Sequence, residues 1–399
     1  MHIPKPLLAL VLASGLTASH AAAQGPNLDR NPVRAGTAAA PAPARLPAVR
    51  ARPPASRRNQ PVPVPAARRA ARATTERPNP ARTPRLGVAP TNGEKWDEIT
   101  PEAVNTGTLR LPVGRGSAGP TVLRVQIMLN RALFSPGMID GKWGKNTENA
   151  VFWLQSREGL PTTGVVDATT YARLALLAGS PTQPVREHVL TAEDVAGPFL
   201  AIPGNIYEHA RLRCSCYETL GEKLTETFHA TRDLLRRLNP GVELDRVAAG
   251  AVLRVPNVRS QDTPPLGEVR KILVSGSGNY LQALDASGRI LYHFAATLGS
   301  TYDPSPQGDF AVLSVHPNPW WHYQPALLAH VPDDRPNAMI PPGPNNAVGR
   351  VWIALSAPHY GIHGTKSPET IGYAQSAGCV RLTNWDVTFL SQRLQGGVP

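Results

Sequence analysis

The chain has 399 residues, of which 41% are hydrophobic, and a formal net charge of +12. This length is sufficient for two or three domains that each bury their own core. The only long apolar run lies at the N-terminus, so the composition excludes a protein with many membrane spans.

The N-terminus has the pattern of a secretory signal peptide. His2 and Lys5 precede the apolar run LLALVLASGL, and a run of three alanines precedes Gln24. The apolar run is too short for a spanning helix, and small residues at its end are typical of a cleavage site. We therefore expect residues 1–23 to be removed and the mature protein to be exported to the periplasm or cell envelope without a membrane span. A buried helix is disfavoured because disorder-type sequence follows directly.

Residues 24–90 form a basic, proline-rich segment. They contain 14 prolines and 13 arginines, but only two acidic residues, Asp29 and Glu76. Such a composition cannot bury a core, so we predict a disordered linker. Nearly all of the net charge lies here, which indicates a tether attracted to anionic polymers of the envelope. No aromatic residues alternate with the arginines, and this argues against nucleic acid as a partner.

Residues 115–180, called the helical domain below, carry three helical patterns. The run TVLRVQIMLNRALF places apolar residues at helical spacing between Val122 and Leu133. After an Asp-Gly turn, we predict a second helix from Thr147 and a third that passes through Leu177. The periodicity by itself indicates a small bundle of three helices.

The motifs of this region, taken in order, are V-Q-x-x-L, D-G-x-W-G-x-x-T, A-V-F-W-L-Q and G-L-x-T-T-G-V-V-D. Together they resemble the small peptidoglycan-binding domain that is attached to many wall enzymes. The resemblance spans residues 120–178. It implies that the helical domain binds the bacterial cell wall.

Residues 187–258, called the middle segment below, have apolar residues at helical spacing between Leu224 and Leu238 and a strand-like stretch that ends at Pro256. This pattern is similar to the latter part of a lysin-motif module, whose helix pair and closing strand bind N-acetylglucosamine polymers. The usual Gly-Asp-Thr turn at the front is missing. Glycan binding and a plain structural spacer are therefore both open interpretations.

Two of the three cysteines, Cys214 and Cys216, lie in the stretch RCSCY of the middle segment. In an exported protein they are expected to form a local disulfide or to remain half-buried thiols. A metal site would need to recruit histidines from the set His188, His209 and His229. A lone C-x-C lacks the second pair that zinc spacing requires, so we predict no metal and no cofactor.

Residues 268–397, called the C-terminal domain below, have the pattern of a β-rich domain. Strand-like runs are KILV, NYLQALD, RILYHF, FAVLSV and RVWIAL, and Thr383 precedes a closing helix, WDVTFLSQRL. We predict a mainly antiparallel, sandwich-like sheet. Long proline-containing loops, including HPNPWWHYQPALLAH, interrupt the strands, and such insertions commonly carry binding function.

The C-terminal domain also holds the third cysteine, Cys379, sixteen positions after His363. A thiol becomes a nucleophile as its thiolate, and an imidazole can take and return the proton. The amides of Gly378 and Cys379 are placed to face a developing oxyanion, while Arg381 is suited to hold a carboxylate. A buried core cysteine with an unrelated histidine is the alternative. A helical zinc site at His359 and His363 is disfavoured because H-Y-G-I-H has a central glycine and lacks the glutamate.

The motifs I-H-G-T, I-G and S-A-G-C-V-R-L, together with S-P-Q-G-D-F upstream, resemble the signature of the YkuD-type L,D-transpeptidase catalytic domain. The resemblance covers residues 269–394. It implies that Cys379 is the nucleophile, that His363 transfers the proton, and that the backbone carbonyl of Gly364 orients the histidine ring. Serine replaces the usual threonine at Ser305, and Ala377 stands where the motif often has a second histidine.

The expected fold class is multidomain α+β, with a β-sandwich-like catalytic domain, a small three-helix wall-binding domain and a disordered N-terminal linker. The substrate-binding residues that we predict are Arg381, Tyr360, Thr365, Ser376 and Trp321. The expected partners are the stem peptides and glycan of peptidoglycan. Since binding and chemistry are expected in separate modules, deletion of residues 120–178 should weaken wall binding and leave reaction with small acyl donors nearly unchanged.

The reaction that the resemblance implies is the formation of a thioester with a tetrapeptide stem, release of D-alanine and transfer to an amine. Transfer to diaminopimelate gives a 3-3 crosslink. The alternatives are an L,D-carboxypeptidase, an enzyme that attaches a protein to the wall or detaches one, and a wall-binding protein without activity.

Overall fold

A computed structural model describes residues 91–328, 331–332 and 334–399 of the chain. The predicted signal peptide, residues 1–23, and the predicted linker, residues 24–90, lie outside the described residues. Within these ranges, no helix is long and apolar enough to cross a membrane.

The helical domain contains three main helices, as the periodicity predicts. In chain order, its elements and the short helix before it are α1 (Pro101–Asn105), α2 (Pro120–Arg131), β1 (Phe134–Ser135), α3 (Lys145–Arg157) and α4 (Ala168–Leu177). Helix α3 begins two residues before the predicted start at Thr147. Helix α4 begins after Asp167, whose side chain accepts a hydrogen bond from the Thr170 amide. The apolar faces of the three helices share one buried cluster.

The middle segment contains the predicted helix pair and closing strand. Its elements are β2 (Val185–Val189), α5 (Ala192–Val195), α6 (Ile206–His209), α7 (Leu220–Thr227), α8 (Arg232–Leu238) and β3 (Val252–Pro256). Threonine side chains at Thr219 and Thr231 cap helices α7 and α8. Strand β2 pairs antiparallel with β3, in a register that joins Val185 to Pro256. The leucines of α7 and α8 share one buried cluster with residues of this strand pair and of α2.

The C-terminal domain is mostly β structure. Its elements are β4 (Lys271–Ser275), β5 (Tyr280–Leu284), β6 (Ile290–Ala295), β7 (Val312–Pro317), β8 (Trp321–Tyr323), β9 (Ala338–Ile340), β10 (Val351–Leu355), β11 (Gly361–His363), β12 (Val380–Arg381) and α9 (Asn384–Ser391). Two four-stranded sheets have the orders β1-β6-β5-β4 and β12-β11-β10-β7. All pairs in these sheets are antiparallel except β1–β6 and β11–β12. Residues of both sheets and of α9 form one core, so the sandwich-like prediction is confirmed.

The helical domain and the C-terminal domain share a sheet. Strand β1, which follows α2, pairs in parallel with β6 through Phe134 and His293. The Ser135 hydroxyl donates a hydrogen bond to a carboxylate oxygen of buried Asp386 in α9 at 2.8 Å. The two regions are therefore joined through one sheet, and the separation of binding from chemistry stays a prediction. Deletion of residues 120–178 would remove a strand from the sheet that supports the C-terminal core.

The middle segment is also packed against both neighbours. The His229 ring lies parallel to Trp385, with 4.7 Å between ring centroids, and its Nδ1 is 3.1 Å from the Asn130 side-chain amide. Arg259, just after the segment, forms a buried ion pair with Asp386. These contacts place residues of three regions around the start of α9.

Candidate active site

Two short parallel strands bring the predicted catalytic residues together. Strands β11 and β12 pair so that Ile362 faces Val380 and His363 faces Arg381. Cys379 immediately precedes β12 and therefore lies beside Gly361, the first residue of β11. Cys379, His363 and Arg381 all line one cavity of about 720 Å³.

The backbone around Cys379 is held by two hydroxyl groups. The Ser305 hydroxyl donates to the Gly378 carbonyl at 2.8 Å, and the Ser376 hydroxyl donates to the Cys379 carbonyl at 2.6 Å. Among the described residues, no backbone or side-chain atom accepts a hydrogen bond from the amides of Gly378 and Cys379. This agrees with their predicted availability to an oxyanion, a role that stays a prediction.

Gly378 is required by its conformation and by its surroundings. Its φ angle is +94°, and a Cβ atom there would lie 2.5 Å from Cε1 of Tyr360. A side chain at this position would therefore strain the backbone and displace the Tyr360 ring.

The Cys379 thiol is partly buried and uncharged at neutral pH. Burial raises the pKa of Cys379, while a backbone hydrogen bond from Gly361 and the charge of Arg381 oppose the rise. The thiol donates a long hydrogen bond to the His359 carbonyl, with 3.8 Å between sulfur and oxygen. No hydrogen bond joins the Cys379 and His363 side chains in this part of the structure. The thiol is therefore not a preformed thiolate, and it must lose its proton to a base before it can react as a nucleophile.

His363 is buried, and its tautomer is determined by one hydrogen bond. Nδ1 lies 2.7 Å from the Gly364 carbonyl oxygen, which can only accept, so Nδ1 carries the proton and Nε2 is free to accept one. The Trp352 ring is stacked on the imidazole, with 5.5 Å between centroids. Burial and then the Arg381 charge lower the pKa of His363 to about 3. The imidazole is therefore neutral at neutral pH, as a proton acceptor must be.

Arg381 supplies an uncompensated positive charge to the cavity. None of the ion pairs among the described residues includes Arg381, and its Nε is buried without a hydrogen-bond partner. A guanidinium group in this setting favours an anionic group of a bound molecule. Its position agrees with the predicted contact to a substrate carboxylate, which stays a prediction.

The other predicted substrate-binding residues divide into two groups. Trp321 and Tyr360 line the cavity together with the more exposed Trp320. Thr365 and Ser376 are buried and do not line it. Thr365 accepts a hydrogen bond from the Ser367 amide, and Ser376 holds the Cys379 carbonyl, so both side chains already have partners inside the protein.

Sequence reasoning missed two residues near His363. Trp352 is opposite His363 in the β10–β11 register, and the Asn384 side chain lies behind the Gly364–Thr365 turn. Strand pairing and turn packing bring them there. The only local signal was the asparagine at the start of the closing helix.

Cys214 and Cys216 form a disulfide, with 5.2 Å between their Cα atoms. This confirms the first of the alternatives for the pair and removes both thiols as metal ligands. In the ranges that the structure describes, no cluster of three or more His, Cys, Asp or Glu residues is arranged to hold a metal ion.

Comparison with known proteins gives two matching families. Residues 269–399 match the family YkuD, described as "L,D-transpeptidase catalytic domain", and residues 118–174 match the family described as "Putative peptidoglycan binding domain". The chain is similar to the protein of Bacillus licheniformis named "Putative L,D-transpeptidase YkuD", with 32% identity over 180 residues. That alignment covers 45% of this chain and 90% of the relative.

The chain is also similar to two further proteins. The Bacillus subtilis protein of the same name is 28% identical over 170 residues, which cover 43% of this chain and 85% of that protein. A crystal structure of an L,D-transpeptidase fragment from Xylanimonas cellulosilytica is 18% identical, with a TM-score of 0.31. It covers 73% of this chain and 97% of that chain.

Proposed function

The chain belongs to the YkuD family of L,D-transpeptidases, and on this premise we propose that it transfers peptidoglycan stem peptides through a thioester on Cys379. The donor is a tetrapeptide stem, attacked at the carbonyl between meso-diaminopimelate and D-alanine. The observation that carries the proposal is the single cavity in which Cys379 and neutral His363 lie beside the unpaired charge of Arg381.

The first half of the reaction forms the thioester. The Cys379 sulfur attacks the carbonyl carbon while its proton passes to Nε2 of His363. The amides of Gly378 and Cys379 stabilise the negative charge on the carbonyl oxygen. When the C–N bond breaks, His363 returns the proton to the departing amine, and D-alanine leaves. A neutral thiol and a neutral imidazole are the correct starting states for this transfer.

The second half consumes the thioester. The side-chain amine of a second diaminopimelate attacks the same carbonyl and loses a proton to His363. The C–S bond then breaks to give a 3-3 crosslink, and the Cys379 sulfur takes the proton back from His363. Trp321 and Tyr360 in the cavity wall restrict water, whose attack would instead give a shortened stem.

The helical domain and the proposed substrate both support a location in the cell envelope. The match to a peptidoglycan-binding family supports peptidoglycan as the polymer on which the enzyme acts. A peptidoglycan substrate supports a location in the cell envelope. We propose that the signal pattern of residues 1–23 directs its export there.

Purified muropeptides test this function. The full-length mature enzyme is incubated with disaccharide tetrapeptides, and the products are identified by mass. A crosslinked dimer with loss of D-alanine is the expected product, and Cys379→Ala should give none. Tripeptide alone would assign a carboxypeptidase, and unchanged substrate would favour a wall-binding role without activity.

A further inference from the structure

The Asn384 side chain connects the middle segment to the turn that orients His363. Asn384 is the first residue of α9 and is 1% exposed. Its Oδ1 accepts hydrogen bonds from the amides of Arg350 at 3.1 Å and Thr365 at 3.2 Å. Its Nδ2 donates to a carboxylate oxygen of Glu226 at 2.8 Å and to the Pro344 carbonyl at 3.3 Å. All of its hydrogen-bonding capacity is therefore used.

A single peptide group lies between Asn384 and the histidine. The Gly364 carbonyl, which accepts from Nδ1 of His363, and the Thr365 amide, which donates to Asn384, belong to the same planar unit. Rotation of this unit would break both hydrogen bonds together. A Cβ atom on Gly364 would lie 2.2 Å from Oδ1 of Asn384, so the two groups are in direct contact. The position of the Asn384 amide thus determines the direction of the carbonyl that holds the imidazole.

Glu226 of helix α7 holds Asn384 from the other side. Its second carboxylate oxygen accepts a hydrogen bond from the Tyr217 hydroxyl at 3.1 Å, and that hydroxyl accepts from the Arg350 guanidinium at 3.2 Å. Arg350 also donates its backbone amide to Asn384, so Glu226, Tyr217, Arg350 and Asn384 form a closed ring of hydrogen bonds. Two members of the ring come from the middle segment and two from the C-terminal domain.

We propose that the middle segment is a positioning element of the active site, in which Glu226 fixes Asn384 and Asn384 fixes the Gly364–Thr365 peptide that orients His363. The inference rests on the proposed function, because it takes His363 as the proton acceptor. It assigns residues 187–258 a role in the reaction that neither glycan binding nor a spacer would require.

The burial of Glu226 supports a geometric role. Burial raises the pKa of Glu226 to about 7, so the carboxyl group is held where its charged form is disfavoured. An apolar pair would join the two domains without this cost. A directional acceptor is needed only where the orientation of the Asn384 amide matters.

The test compares variants of the full mature chain by the rate at which a carbapenem acylates Cys379, with the concentration dependence separating affinity from rate. Glu226→Ala should lower the limiting rate about tenfold, the scale of one hydrogen bond to a charged group, with unchanged affinity. Glu226→Gln keeps an acceptor for Asn384 and should stay within about twofold of wild type. Tyr207→Phe is the matched control, because it removes another hydrogen bond from the middle segment, to the Pro336 carbonyl, and should change nothing.

A double-mutant cycle with His363→Ala provides the decisive readout. If Glu226 acts through the histidine, Glu226→Ala should have no further effect on the residual acylation of His363→Ala. An equal loss in both backgrounds would overturn the inference and leave Glu226 a stability residue. If His363→Ala is as fast as wild type, the proposed function fails instead. Should Glu226→Ala not fold, Tyr217→Phe supplies the same cycle, with an expected loss of about threefold.

Discussion

The proposed nucleophile, Cys379, and the proposed base, His363, lie beside segments that are in contact with different regions of the chain. The loop that leads to Cys379 is in contact with the helical domain, where the Asn146 side chain donates to the Ile371 carbonyl at 2.8 Å and packs against Gly372. The turn that follows His363 is held by the middle segment through Glu226 and Asn384. The first contact joins the neutral Asn146 side chain to a backbone carbonyl. The second belongs to the closed ring of hydrogen bonds that includes Glu226 and Arg350. Regions outside the C-terminal domain therefore contact the segments beside both Cys379 and His363.

The loss of the base should have the largest effect. We expect His363→Ala to lower the acylation rate by about a hundredfold or more, the usual contribution of a general base. The residual rate should rise with pH, because only the thiolate can then react.

Wild type should show a different pH dependence. The pKa of His363 is lowered to about 3, so the neutral imidazole persists through the range in which an ordinary histidine is protonated. The acylation rate should therefore not decrease as pH falls through about 6.5. The measurement is the acylation rate from about pH 5 to about pH 8. A rate that fell toward low pH, with a midpoint at the pKa of an ordinary histidine, would contradict a neutral thiol paired with a neutral imidazole.

A glycine substitution tests the nucleophile side. Gly378→Ala should lower the acylation rate by about tenfold and stability by about 1–3 kcal/mol, because a Cβ would meet Tyr360 and the φ angle is positive. Gly288→Ala is the control, since Gly288 has a φ angle of +84° and open space around its Cβ position. It should cost about 1–2 kcal/mol by strain alone and leave acylation unchanged. Equal effects on acylation would remove the role of the Tyr360 contact.

The contact with the helical domain can be tested within a single helix. Asn146→Ala should slow acylation about threefold, because it frees the Ile371 carbonyl in the loop that carries Cys379. Asn149→Ala removes an equivalent hydrogen bond from helix α3 to the Gly278 carbonyl, which is not in that loop. It should cost similar stability without a change in rate. If both variants were equally slow, the Asn146–Ile371 contact would have no specific role in the loop that carries Cys379.

Local sequence patterns were enough to predict most helices and strands, but not the long-range contacts that hold the segments beside Cys379 and His363. Helical spacing predicted helix α2, and Thr383 predicted the start of α9. The motifs I-H-G-T and S-A-G-C-V-R-L identified the two catalytic candidates. Glu226 and Asn384 are 158 residues apart, and no periodicity links them. Strand β1 has only two residues, too few for a strand pattern, although its pairing joins two domains.

Glu226→Gln should give the smallest change in activity, within about twofold of wild type, together with a distinct change in stability. A raised pKa means that folding favours protonated Glu226, so its contribution to stability is full below about pH 4.5 and is lost as pH rises through about 7. Tyr217, Arg350 and Glu222 are the ionisable groups that act on it. Glu226→Gln cannot ionise and should gain stability over wild type, by at most about 3 kcal/mol, as pH rises across this window. Denaturant unfolding at several pH values checks this, and a constant difference would contradict it.

The identity of the nucleophile is tested most directly by the site of carbapenem acylation. The strained carbonyl of a carbapenem imitates the donor amide, and intact mass with peptide mapping locates the adduct. We predict one adduct per chain, on Cys379, with Cys214 and Cys216 still joined in their disulfide. Cys379→Ala should abolish both the adduct and turnover of muropeptides. An adduct on another residue, or turnover by Cys379→Ala at the wild-type rate, would contradict the thioester mechanism.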